Sequence, residues 1–131
     1  MKDLRDALKI MQTSDIHKTW GPEEIDRCIV TPLELSQYSI ITENNEPVVF
    51  GTWGFPTETQ IEEYLKTQRF PIEGYKSQGK NVWMIDFISK KDYTFKGVKY
   101  FKYLLNNKGY NKAFWFRVNN LKLSWHKWKG K

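Results

Sequence analysis

Residues 81–89 read Asn-Val-Trp-Met-Ile-Asp-Phe-Ile-Ser, a near-continuous apolar run broken by one charge, Asp86. A short apolar run of this kind predicts a strand, and one with so few polar positions predicts a strand covered on both faces. Such cover needs neighbouring strands at its edges and helices packed on the sheet. The run therefore commits the chain to a layered α/β or α+β domain. The 131 residues supply one such domain. Apolar residues make up 40%, charged residues 27% and aromatic residues 16%, a balance that excludes disorder, collagen and coiled coil.

Leu4, Ala7, Leu8 and Met11 fall on one stripe and predict a helix over residues 3–12. Pro22-Glu23-Glu24 reads as the first turn of a second helix, which Pro32 should keep short. Tyr38 to Thr42 is rich in β-branched and aromatic residues, Glu43-Asn44-Asn45-Glu46 is turn chemistry, and Val48 to Trp53 is the return strand. Thr57 and Gln60 fit a capping box opening a helix whose buried stripe is Ile61, Tyr64 and Leu65. Phe95, Val98, Phe101, Leu104 and Leu105 predict the buried face of a later helix, with Lys96, Lys99 and Lys102 on its wet side. Gly109 ends it, and Ala113 to Val118 reads as a last strand. The expected architecture is a mixed central sheet with flanking helices over residues 1–118, followed by a basic, aromatic tail at 119–131.

The N-terminus interleaves acids and bases and has no secretory pattern, and no charge-free stretch approaches the ~20 residues of a membrane span. Cys28 stands alone, so no intrachain disulfide is available. These features predict a cytoplasmic protein without a membrane span. The net charge of +6 is unevenly spread: residues 1–88 hold 9 Lys+Arg against 14 Asp+Glu, and residues 89–131 hold 12 against one, Asp92. A basic block of this strength suits an anionic partner (nucleic acid, an acidic protein or a phosphate-bearing ligand), or equally a solvated face.

Two residues stand out chemically. Asp86, flanked by Ile85 and Phe87, must be paired or must cap a neighbouring loop from the strand end. His17, in the irregular stretch Ser14 to Trp20, is the natural proton acceptor near neutral pH, or else an exposed loop residue. His126 belongs to the tail. The two histidines and Cys28 form no ligand cluster, so no metal is expected. No Gly-x-Ser-x-Gly, Walker or dinucleotide glycine motif is present, and nothing local activates Cys28, which reads as a buried inert thiol.

Taken in order, Ser14-x-x-His17-x-x-Trp20, Pro32, Gln37-Tyr38 with the hairpin and Pro47, Trp53, Trp83 to Ile88 and Arg117-Val118 resemble the RTX toxin-activating lysine acyltransferases. The resemblance implies a variant of the GNAT acyltransferase fold. It implies transfer of a fatty acyl group from acyl carrier protein to the ε-amine of an internal lysine in a protein. The family's essential histidine and aspartate fall on His17 and Asp86, its serine on Ser14, and a cleft arginine on Arg117. Gln37 joins Ser14 and Arg117 as an expected substrate- or acyl-binding residue. The chain departs from the family in ending soon after Arg117, in carrying Cys28-Ile29-Val30 where an asparagine is expected, and in a lysine-rich loop after Asp86. It therefore reads as a shortened relative, and substrate identity is what these departures touch first.

On that reading His17 takes the proton of the attacking amine, or accepts the acyl group itself, with Asp86 orienting the ring. The stretch Lys90 to Gly97 holds a single glycine, unlike the glycine-rich turn that cradles a CoA pyrophosphate. That favours a carrier-bound pantetheine as donor, with Lys90, Lys91, Lys96 and Lys99 docking an acidic acyl carrier protein; the same lysines also suit the phosphates of acyl-CoA. A homodimer stays open. The reading from a different class is a non-enzymatic basic and aromatic module for nucleic acid or an acidic protein.

Overall fold

The computed structural model describes residues 2–110, 112–119 and 122–129. Its elements run α1 (Lys2–Met11), α2 (Pro22–Ile25), a π-helical turn (Asp26–Val30), α3 (Thr31–Glu34), β1 (Tyr38–Glu43), β2 (Glu46–Gly54), α4 (Glu58–Thr67), α5 (Glu73–Lys76), β3 (Val82–Ser89), α6 (Thr94–Asn107), β4 (Lys112–Asn119) and β5 (Lys122–Lys129). The five strands form one sheet in the order β1-β2-β3-β4-β5, antiparallel throughout except for the parallel pair β3–β4. The apolar run is the middle strand, as its composition requires.

Local chemistry explains most boundaries. Asn44 and Asn45 both take positive φ, the conformation of the tight turns that match strand twist, and they close the β1–β2 hairpin. Thr57 caps α4 by accepting from the Gln60 N–H, and the Gln60 side chain returns to the Thr57 N–H. Pro32 does not end the second helical stretch. The Thr31 N–H and hydroxyl both turn to the Asp26 carbonyl across a widened turn. That π bulge makes room for the proline ring, and helix continues to Glu34.

Helices cover both faces. On one, Phe101 and Leu105 of α6 pack on Val48, Val49, Trp53, Val82 and Met84. Gly51 lets α6 approach, because a Cβ there would stand 2.5 Å from the Phe101 ring. On the other, Ala7, Ile10 and Met11 of α1 join Ile29, Phe50 and Ile88, while Tyr64, Phe70 and Tyr75 cover Trp83 and Ile85.

Two further expectations need correction. Phe95 is not in the core: it is 77% exposed, lying about 120° round α6 from Phe101. Within 119–131, residues Lys122–Lys129 pair antiparallel along β4, so the basic tail carries an edge strand of the sheet.

Candidate active site

Where the sheet parts, a cavity opens. β3 pairs with β4 only at Val82↔Ala113, Trp83↔Phe114 and Met84↔Trp115. Beyond Met84 the two strands share no register pair, and the gap is a cavity of about 560 Å³. Met84, Ile85, Asp86, Phe87 and Trp115 line it from the strands. Thr94, Val98 and Phe101 close it from the α6 face, and Ile16, His17, Trp20, Tyr64 and Gln68 from the other. Its walls are mainly apolar and its size is that of a drug-sized ligand.

Asp86 reaches this cavity through a fault in the pleat. Strict alternation from Val82 and Met84 would send it to the α6 side. The pairing jumps instead from Trp53↔Met84 to Thr52↔Asp86, leaving Ile85 as an extra residue. This β-bulge turns the Asp86 carboxyl to the α1 side. Thr52, fully buried, holds the bulge by accepting the Asp86 N–H on its hydroxyl at 3.2 Å. Thr52→Val leaves that N–H without an acceptor. The expected cost is about 1–3 kcal/mol of stability, read by chemical denaturation. An unchanged unfolding midpoint would mean the bulge is held by other means.

His17 comes from the turn after α1. The turn is fixed by Ser14, whose carbonyl accepts the Lys18 N–H at 2.8 Å and whose hydroxyl accepts the His17 N–H at 3.2 Å. The imidazole packs edge-on against Trp20, centroids 4.7 Å apart, and is nearly buried. Its Nε2 lies 3.1 Å from Asp86 Oδ1, and its Nδ1 lies 2.6 Å from Ser14 Oγ. A carboxylate only accepts, so the proton on the Asp86 side belongs to Nε2. Nδ1 is then the acceptor and receives the Ser14 O–H. Ser14, His17 and Asp86 thus form one hydrogen-bonded chain, its His17–Asp86 link spanning 69 residues of sequence.

A second cavity of about 360 Å³ adjoins the first and shares Trp20, Tyr64, Gln68 and Asp86 with it. Its other walls are polar and charged: Glu24, Arg27, Thr67 and Arg69, with Cys28 and Phe70. Glu23 pairs with the buried Arg27 and, at 2.8 Å, with Arg69. Cys28 and two tyrosines behind Asp86 stay protonated at neutral pH. Burial first, and then the Asp86 charge, pushes the Cys28 thiol up to about 12, and burial likewise raises the Tyr64 and Tyr75 phenols. Cys28 therefore has negligible thiolate at neutral pH and is not a nucleophile.

Gln37 and the expected docking lysines line neither cavity. Gln37 Nε2 donates to the Trp53 carbonyl at 2.8 Å and the Tyr75 carbonyl at 3.0 Å, tying β2 to α5. Lys96 pairs with Glu43 at 2.7 Å, Lys90 approaches Glu46 at 3.9 Å, Lys99 lies over the Phe95 ring, and Lys91 is exposed. Arg117 sits in β4 opposite Ser124, with its side chain outside the described residues. Among the described residues no group of three or more His, Cys, Asp or Glu is placed to hold a metal, and no helix is long and apolar enough to cross a membrane. Of the lining aromatics, Tyr64 read only as part of a buried helix stripe, and Phe87 and Trp115 carried no signal in the sequence beyond their size. Thr52 and Ile85 carried none, because a bulge is a property of a strand pair.

Known proteins resemble this chain in sequence and in fold. The family model described as "HlyC: RTX toxin acyltransferase family" matches residues 3–120. The leukotoxin-activating lysine-acyltransferase LktC of Mannheimia haemolytica serotype A1 is 25% identical over 81 residues, 61% of this chain and 48% of that one. The LktC of Pasteurella haemolytica-like sp. (strain 5943B) is 24% identical over 81 residues with the same coverage. The chain spans about half the length of these curated relatives. Among solved structures, the loading GNATL domain of CurA from Lyngbya majuscula is similar with a TM-score of 0.57, over 89% of this chain and 61% of that one, at 14% identity. At that identity the likeness shows a GNAT-like fold and nothing of the reaction.

Proposed function

The chain belongs to the RTX toxin acyltransferase family, and from that premise we propose that it moves a fatty acyl group from a thioester donor to the ε-amine of a lysine in a protein substrate. The observation that carries this reading is the His17–Asp86 pair at 3.1 Å, set in the wall of a large apolar cavity. A cavity of about 560 Å³ exceeds what an acetyl group needs and suits a long acyl chain. The relatives' names, leukotoxin-activating lysine-acyltransferases, support a lysine of a toxin-type protein as the acceptor.

In the proposed reaction the lysine nitrogen attacks the thioester carbonyl. A C–N bond forms, the C–S bond breaks, and the amine's proton must reach the departing sulfur. The Nδ1 lone pair of His17 is directed at the Ser14 hydroxyl. Ser14 therefore passes its proton to Nδ1 as it takes one from the amine, and the imidazolium, held by Asp86, returns a proton to the thiolate. That hydrogen bond at 2.6 Å also supports the base role over an acyl-imidazole, which would need Nδ1 free. We assign the donor thioester to acyl carrier protein, since a pantetheine arm needs no pyrophosphate cradle and the lysine-rich α6 region suits an acidic protein. Ser14 and Asp86 are thus relay and orienting partner, and Arg117 is a candidate for the cleft.

Thiol release from an acyl-carrier donor tests the reading. Thiol should appear only when an acceptor lysine is present and in step with its acylation. Thiol release without modified lysine would make the protein a thioesterase, and no release from any donor would remove the enzymatic reading.

A further inference from the structure

Phe95 and Tyr103 are 77% and 66% exposed, the two most exposed of the four large apolar side chains in solvent among the described residues. Both lie on α6, whose sequence holds no acidic residue. At 100° per residue, Phe95, Lys96, Lys99, Lys102, Tyr103 and Asn106 fall within an arc of about 120°, opposite the buried Gly97, Phe101 and Leu105. Solvation alone explains lysines on such an arc. It does not account for two large aromatic rings among them, a residue type that commonly anchors interfaces. The rings sit about 12 Å apart along the helix, about two turns, a spacing that anchor positions seven residues apart on a partner helix roughly match.

The position of this face adds a direction. Thr94, next to Phe95, and Val98, one turn on, line the acyl-sized cavity. A partner seated over Phe95 therefore lies beside the α6 residues that line the cavity.

We propose that the outer face of α6 is the docking surface for an acidic protein that delivers the acyl group as a thioester, with Phe95 and Tyr103 as apolar anchors and Lys99 and Lys102 as the charges around them. This rests on the acyl-transfer reading and deepens it, because it names two residues that matter for a protein-borne donor and not for a small one.

The test compares palmitoyl–acyl carrier protein with palmitoyl-pantetheine as donors for the wild-type chain, the double variant Phe95→Ala/Tyr103→Ala, and Lys99→Glu. The expected result is a KM for the carrier donor raised on the order of tenfold by each variant, with KM for palmitoyl-pantetheine unchanged. For the wild-type chain, carrier KM should also rise with salt. Unchanged carrier KM in the variants, or equal shifts for both donors, overturns the surface. Should neither donor support transfer, the acyl-transfer reading fails and fluorescence anisotropy with labelled carrier protein decides the surface alone. Binding lost in the double variant sustains it. Binding unaltered in that variant, or this face preferring single-stranded DNA to the carrier, overturns it.

Discussion

His17→Ala lowers the rate of acyl transfer by about 10²–10⁴-fold, the usual worth of a positioned general base. The same change removes the partner of a largely buried carboxyl and the ring that packs on Trp20. It therefore also costs about 1–3 kcal/mol of stability, which leaves the protein folded well below its melting temperature. His17→Gln separates the two effects. It fills most of the space and keeps an N–H for Asp86, yet takes up no proton. Turnover should fall as far as in the alanine variant while the thermal transition, followed by circular dichroism, moves less. A glutamine variant with wild-type turnover removes the imidazole from the chemistry.

Asp86→Asn should be nearly as damaging, at about 10²–10⁴-fold in turnover, with little change in fold. The amide is the size of the carboxyl and the bulge at Ile85 does not depend on its charge. What changes is the tautomer. An amide NH₂ turned to Nε2 draws the ring proton to Nδ1, which then donates to Ser14 rather than accepting from it. The imidazolium also loses its counter-charge. Nitrogen-15 NMR of the His17 ring in both proteins checks the cause: the ring proton should sit on Nε2 in the wild-type chain and on Nδ1 in the asparagine variant. The same tautomer in both, with turnover lost, would place the effect of Asp86 elsewhere.

Much of this was legible in the sequence, for identifiable reasons. The apolar run at 81–89 identified the middle strand because burial on both faces leaves few polar positions. Asn44-Asn45 and the Thr57/Gln60 pair identified a turn and a helix start because their side chains act locally. Asp86 and His17 stood out as a charge in an apolar strand and an imidazole in a loop. That the two meet rests on the long-range packing of α1 on the sheet and on the bulge opposite Thr52, neither of which has a local signature. Phe95 was misread because three of its helical neighbours at Val98, Phe101 and Leu105 do face the core, and a ring one arc away from them looks apolar in any window. Pro32 was misread because a π turn absorbs it, at the cost of one irregular backbone bond. The strand at Lys122–Lys129 was hidden by its alternation of lysines with Trp125 and Trp128, which also reads as a charged tail. In each case sequence chemistry revealed what a residue prefers, and pairing across the sheet decided where it went.

On the proposed reading, His17 and Asp86 together carry an acyl transfer to lysine. Its most direct test is intact mass of a lysine-bearing acceptor protein after incubation with this chain and acyl carrier protein loaded with a fatty acyl group. A mass gain of one acyl group is expected, mapped by fragmentation to a lysine side chain and absent with His17→Gln. Acceptor mass unchanged with every donor, or the same gain with the variant, would contradict it.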